Sequence, residues 1–170
     1  MTRLGDKNKL YYTKRFPNDP KDHDVNLGTA TTWGDRLGRW TDFTPTVTQG
    51  AAVTYTQNYG RYAVIGDTVW LACMLTLTGG GTASNLFHVA NLPTQGIPIA
   101  AGGVTRLVVG TFEYTRPSVI NHVGCVYFLD PNTLEFAVEN TAAQFGIAPA
   151  ITVTNGDQFS FSITYEARTR

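Results

Sequence analysis

Charge is scarce in this chain. Only 15% of its 170 residues are Asp, Glu, Lys or Arg, and the formal net charge is zero. That balance leaves no global electrostatic case for nucleic-acid or membrane-surface partners. Cysteine is scarcer still, with Cys73 and Cys125 alone, too few for the disulfide framework of a small loop-rich chain. Each lies in an apolar, strand-like run and reads as a buried free thiol. No segment approaches the roughly 18 consecutive apolar residues of a membrane span. The opening Met1-Thr2-Arg3-Leu4-Gly5-Asp6 lacks the apolar stretch of a secretory signal. Synthesis in the cytoplasm is therefore expected, with any export by assembly or lysis. Coiled-coil heptads and Gly-X-Y repeats are missing too, which excludes a fibre shaft.

Catalytic signatures are also lacking. The sequence contains no Gly-x-Ser-x-Gly, His-Glu-x-x-His, Walker loop or Cys-x-x-Cys. His88 and His122 fall in or beside strand-like runs and read as structural. Asp22-His23-Asp24 are adjacent and cannot converge on a metal without distant help. Glycoside cleavage needs two facing carboxylates at a defined separation. The candidates are Glu113, Asp130, Glu135, Glu139 and Asp157. Glu113 is opposite in phase to Phe112 and Tyr114, which points it to solvent, and Asp130 and Asp157 are explained by turn chemistry. No catalytic residue, metal site or cofactor is expected, and the chain reads as a non-enzyme.

What is present divides the chain in two. Residues 1–42 carry 8 Lys/Arg and 6 Asp/Glu, 14 of the 26 charges, and all four lysines. Their apolar residues come singly or in pairs, without period, so the segment cannot bury a core of its own. Yet it holds Tyr11, Tyr12, Phe16, Trp33 and Trp40. Two readings stand: an extended arm that docks these aromatics on a larger partner, or an arm that wraps its own domain.

From Asp42 onward the pattern is β. Expected strands are Phe43–Thr48 (an edge, because of Pro45), Val53–Gln57, Arg61–Ile65, Thr68–Thr78, Asn85–Leu92, Val104–Arg116, Val119–Leu129, Leu134–Val138 and Gln158–Ala167. Tight turns are expected at Gly66-Asp67, Asp130-Pro131-Asn132-Thr133 and Asn155-Gly156-Asp157. Gly79-Gly80-Gly81 reads as a flexible hairpin loop. Many short strands, frequent turns and no helical period predict an all-β fold: an antiparallel β-sandwich or jelly-roll-like domain over 43–170 with an extended N-terminal arm over 1–42.

One strand is unusual. Thr68–Thr78 places Val69, Leu71, Cys73, Leu75 and Leu77 on one face, and Trp70, Ala72 and Met74 on the other. A half-solvated antiparallel strand should be apolar on one face only. Leu107–Tyr114 behaves similarly, with Leu107 and Val109 on one face and Val108, Phe112 and Tyr114 on the other. Loops covering the second face, a central place in a curled sheet, or subunit contact would each account for it. Under the last, Trp70, Met74, Phe112 and Tyr114 form the interface of a homo-oligomer. Tyr55, Tyr59 and Asn85 could instead serve a glycan, by stacking and hydrogen bonding, or be ordinary sheet and turn residues.

Four segments carry a family resemblance. They are Trp40-Thr41-Asp42-Phe43-Thr44-Pro45-Thr46, then Gly60-Arg61-Tyr62 running through Ile65-Gly66-Asp67 into Val69-Trp70-Leu71, then Asn91-Leu92-Pro93, and lastly Phe159–Glu166. Together they resemble the β-rich external domains of tailed-phage virion proteins: tail-fibre tips, minor tail proteins and head fibres. The resemblance covers about residues 41–170. It implies an outward place on the virion surface, often as a homotrimer, and it brings no catalytic residues. Without a shaft, the chain departs from the long-fibre pattern and fits a small module docked on capsid or tail proteins through residues 1–42. Three roles follow: head decoration protein or short head fibre, tail-tip protein adsorbing to host surface glycans, or free carbohydrate-binding module.

Overall fold

A computed structural model describes residues 39–94, 96, 107–138 and 144–167. The β-rich unit begins at Trp40. Tyr11, Tyr12, Phe16, Trp33 and Glu139 lie outside the described residues.

The described chain is all-β and antiparallel, with no helix. Nine strands follow in order: β1 (Thr41–Asp42), β2 (Thr46–Gln49), β3 (Thr54–Ile65), β4 (Thr68–Gly79), β5 (Phe87–Ala90), β6 (Val108–Arg116), β7 (Ile120–Asp130), β8 (Thr133–Val138) and β9 (Gln158–Glu166). They form one sheet in the spatial order β1-β3-β4-β9-β6-β7-β8-β5-β2. The two faces of the expected sandwich are halves of this single curled sheet. Curling brings its ends together: the Val53 amide donates to the Val47 carbonyl at 2.9 Å, and the Tyr55 hydroxyl donates to the Pro45 carbonyl.

Alternation drives the curl. In β9, Phe159, Phe161, Ile163 and Tyr165 are buried while Gln158, Ser162, Thr164 and Glu166 are exposed. β4 repeats this, with Val69, Leu71, Cys73, Leu75 and Leu77 inside. These inward rows meet Phe87, Phe112, Phe136 and Phe145 in an aromatic core, whose rings pack mostly edge-on or tilted, as at Phe136–Phe159, 4.9 Å apart at 89°, with Phe112 stacked on Phe159 at 5.6 Å.

The turns follow local chemistry. Ile65 pairs with Thr68 across Gly66-Asp67, and Gly66 adopts φ +60°, the left-handed first position of a two-residue II′ turn. Asn91 also takes positive φ, 68°, which ends β5, while its amide donates to the Thr44 carbonyl at 3.3 Å. The Asn132 amide donates to the Asp130 carboxylate at 2.8 Å, as expected of that turn.

Three expectations change. Val53–Gln57 and Arg61–Ile65 belong to one strand, β3, which passes through a bulge at Asn58. The glycines after β4 do not close a hairpin: β5 pairs with β2 and β8, not with β4. Finally, β6 holds a bulge between Val108 and Gly110. The extra residue shifts the phase, so Val109 joins Phe112 and Tyr114 inside.

Candidate functional site

The bulge in β6 decides the predicted interface. Phe112 is 3% exposed and Tyr114 is 0%, whereas Trp70 is 36% and Met74 is 37% exposed. The four therefore do not share a patch: Phe112 and Tyr114 are core residues, and only Trp70 and Met74 remain on the outer face. Trp40, beside β1, is also exposed. The glycan candidates separate too. Tyr55 leans on the core with its hydroxyl engaged by Pro45, and burial raises its pKa. Asn85 sits at the Gly50 turn, donating to the Ala83 carbonyl at 3.2 Å. Tyr59 alone of the three faces outward beside Met74.

The cysteines differ from expectation as well. Both are free, but Cys73 is buried and Cys125 is exposed. Cys73 lies on the inward row of β4, where burial pushes its thiol up to about 12. Cys125 lies on the outer side of β7, where side chains are free to meet solvent.

The outer face carries an open groove of about 890 Å³. Its origin is a row of small side chains in register across five strands: Ala72, Ser162, Thr111, Cys125 and Ala137. The neighbouring row rises higher at Tyr59, Met74, Glu113 and Val123 and dips at Ser160. A low row beside a high one makes a trough perpendicular to the strands. Four inter-strand steps of about 4.8 Å make it roughly 19 Å long. Glu113 is its one charged lining residue among those described. The Glu113 Oε1 accepts from the Asn121 amide at 3.1 Å and from the Thr115 hydroxyl at 3.4 Å.

Other polar groups serve the frame. Asp157, 1% exposed, accepts from the Tyr114 hydroxyl at 2.5 Å, from Arg116 Nε and Nη2 at 2.9 Å each, and from the Thr154 amide at 2.8 Å. Burial pushes its pKa upward, but the bonds from Arg116, Tyr114 and Thr154 outweigh it and hold the carboxyl below its ordinary value. Burial and the adjoining carboxylate raise the Tyr114 phenol. Sequence reasoning assigned Asp157 to a turn. It does cap one, but it also binds two side chains on β6 that no local pattern links to it. Gln49 was missed entirely: wholly buried, it donates to the Ile151 carbonyl and accepts from the Val153 amide at 3.1 Å.

The remaining carboxylate candidate, Glu135, is buried. Its Oε2 accepts from the Gln144 amide at 2.8 Å, and its Oε1 lies 3.6 Å from His88 Nε2. His122 stacks beside Tyr114, ring centres 6.3 Å apart. Among the described residues, no group of three or more His, Cys, Asp and Glu side chains is placed to hold a metal ion, and no helix is long and apolar enough to cross a membrane. No protein-family model matches this chain, and no curated protein or solved structure matches it either.

Proposed function

We propose that this chain is a structural accessory protein of a tailed-phage virion. Residues 1–42 dock it to the particle, and the β-domain is displayed outward as a head decoration or short head fibre. The observation that carries this reading is spatial. The segments bearing the resemblance are dispersed in sequence, yet β1, β3, β4 and β9 are consecutive neighbours in the sheet. Asn91 joins them by its bond to Thr44. Three of the segments thus supply strands that are neighbours in the sheet, and the remaining one, at the end of β5, is tied to the first through Asn91.

The role is non-catalytic in this reading. The domain works as a homo-oligomer, a trimer, in contact with capsid or tail proteins, and associates through Trp70 and Met74, the exposed pair on β4. Deletion of residues 1–42 tests the docking arm: the truncated protein should fold yet fail to join particles. Normal incorporation would sink the proposal. Immunogold microscopy with antibody against residues 43–170 should label heads regularly.

A second reading, tail-tip adsorption to host surface glycans, is favoured by one observation. The outer groove is lined by hydroxyls and Tyr59. Label confined to tail tips would support it over head decoration. A free carbohydrate-binding module would show saccharide binding and no particle label at all.

A further inference from the structure

The polar groups of the outer face fall into two sets. One set is internally bonded: the Thr78 hydroxyl donates to Thr54 at 2.9 Å, Asn58 and Thr76 bond to each other, and Asn121 donates to Glu113. The other set is the groove floor. Among the described residues, the hydroxyls of Thr111, Ser160 and Ser162 take no side-chain partner. Each offers one donor and two acceptor lone pairs to whatever fills the groove. Their backbone groups are committed to the sheet ladders of β6 and β9, so these hydroxyls are the free polar valence of the trough.

The rest of the lining narrows the occupant. Tyr59, 44% exposed, supplies an aromatic surface at the β3 side, and Val123 supplies an aliphatic one at the β7 side. Glu113 has one oxygen held by Asn121 and Thr115, leaving Oε2 open to accept a hydroxyl. No Lys, Arg or His lines the groove among the described residues. The nearest cation in register, Arg61 opposite Ala72, is paired with Asp42 at 3.2 Å. An anionic ligand would meet a carboxylate and no free positive charge. A flat apolar ligand would leave three hydroxyls unpartnered, which costs free energy when water is removed.

From these observations we infer that the outer groove across β4, β9, β6, β7 and β8, with Tyr59 of β3 beside it, binds a neutral oligosaccharide. Thr111, Ser160, Ser162 and Glu113 hydrogen-bond its hydroxyls, and Tyr59 stacks on a ring face. The trough, roughly 19 Å long at about 4.8 Å per strand step, suits a short oligomer rather than a single sugar. This names a site for the adsorption reading. It does not require the virion assignment, because the full-length soluble chain can be tested directly.

Cys125 makes the test specific. It lines the groove, whereas Cys73 is buried. The full-length protein would be screened on an array of neutral mannose, galactose and N-acetylglucosamine oligomers, with sialylated oligomers as the anionic arm. The expected result is binding to a neutral oligomer that slows alkylation of Cys125 by N-ethylmaleimide. Tyr59→Ala should weaken it tenfold or more, and Ser162→Arg, which fills the trough, should abolish it. Should Ser162→Arg fail to fold, pre-alkylating wild-type Cys125 with a bulky maleimide fills the trough after folding and should block binding equally. Binding to no oligomer, a preference for the sialylated arm, or binding that survives a filled trough would each overturn the proposal. So would protection of Cys125 without sugar in a concentration-dependent oligomer, since the occupant would then be a second copy of this chain.

Discussion

The two faces of the same strands have opposite characters. Along β9, Phe159, Phe161 and Ile163 point into the curl and are almost fully buried, while Ser160 and Ser162 point out to the groove. On β4, Leu71, Cys73 and Leu75 are core, while Trp70, Ala72 and Met74 face solvent. Both faces of β4 are apolar by composition, but only one is apolar by environment. The inner face sets stability through dense packing, whereas on the outer face Trp70, Met74, Thr111 and Ser162 stay exposed among the described residues, so side-chain size there is less constrained. That freedom lets a row of small residues become a trough.

Substitutions matched across the sheet should break or sharpen this contrast. Phe159→Ala, at the centre of the aromatic core, should cost about 3–5 kcal/mol in urea unfolding. Its outward neighbour Ser160→Ala should stay within about 0.5 kcal/mol. Equal effects would refute the division of faces.

Asp157→Ala should cost about 3 kcal/mol, because it leaves the buried Tyr114 hydroxyl and the partly exposed Arg116 guanidinium without their carboxylate partner. Gln49→Ala should cost about 1–3 kcal/mol by leaving the Val153 amide unpaired. An unchanged urea midpoint would show that the curl does not need this pin.

Acid should separate the same regions. Asp157 has a folded pKa below its ordinary value. Its contribution is therefore complete above the unfolded carboxyl's pKa of about 3.9 and is lost as pH falls through the lower folded value. Wild-type stability should fall on acidification in that window, and Asp157→Asn should flatten the fall. An identical acid slope in the variant would place the acid sensitivity elsewhere. The smallest effect is expected for Trp70→Ala and Met74→Ala. Monomer stability should shift little, while any oligomer seen by sedimentation should weaken. An oligomer indifferent to both would remove this pair from the interface.

Much of the fold was legible because alternation and turn chemistry are local. Phe159 to Tyr165 could be assigned a buried face from spacing two apart, and Gly66-Asp67 a turn from its dipeptide. Phe112 and Tyr114 were misplaced for an equally local reason. Period-two counting assumes an unbroken ladder, and the bulge at Val108–Gly110 inserts one residue. Gly110 tolerates the close approach of β9, where a Cβ would stand 2.0 Å from the Ser162 carbonyl oxygen. Cys125 was read as buried because its run is apolar, yet it falls on the outward phase of β7. Of the groove, only Tyr59 was named as a glycan candidate. The floor residues Ser162 and Thr111 are 51 positions apart in sequence and meet only through the β6–β9 pairing.

The sequence by itself determined the β class, most strand positions, the main turns and the composition of each strand face. These depend on contacts between residues a few positions apart. Tertiary structure alone decided that β5 crosses away from β4, that Asp157 locks Arg116 and Tyr114, and which apolar face of β4 is core. It also decided that five small residues from five strands form one row. Each of these depends on register between strands distant in sequence, and register is set by the summed packing of the whole curled sheet.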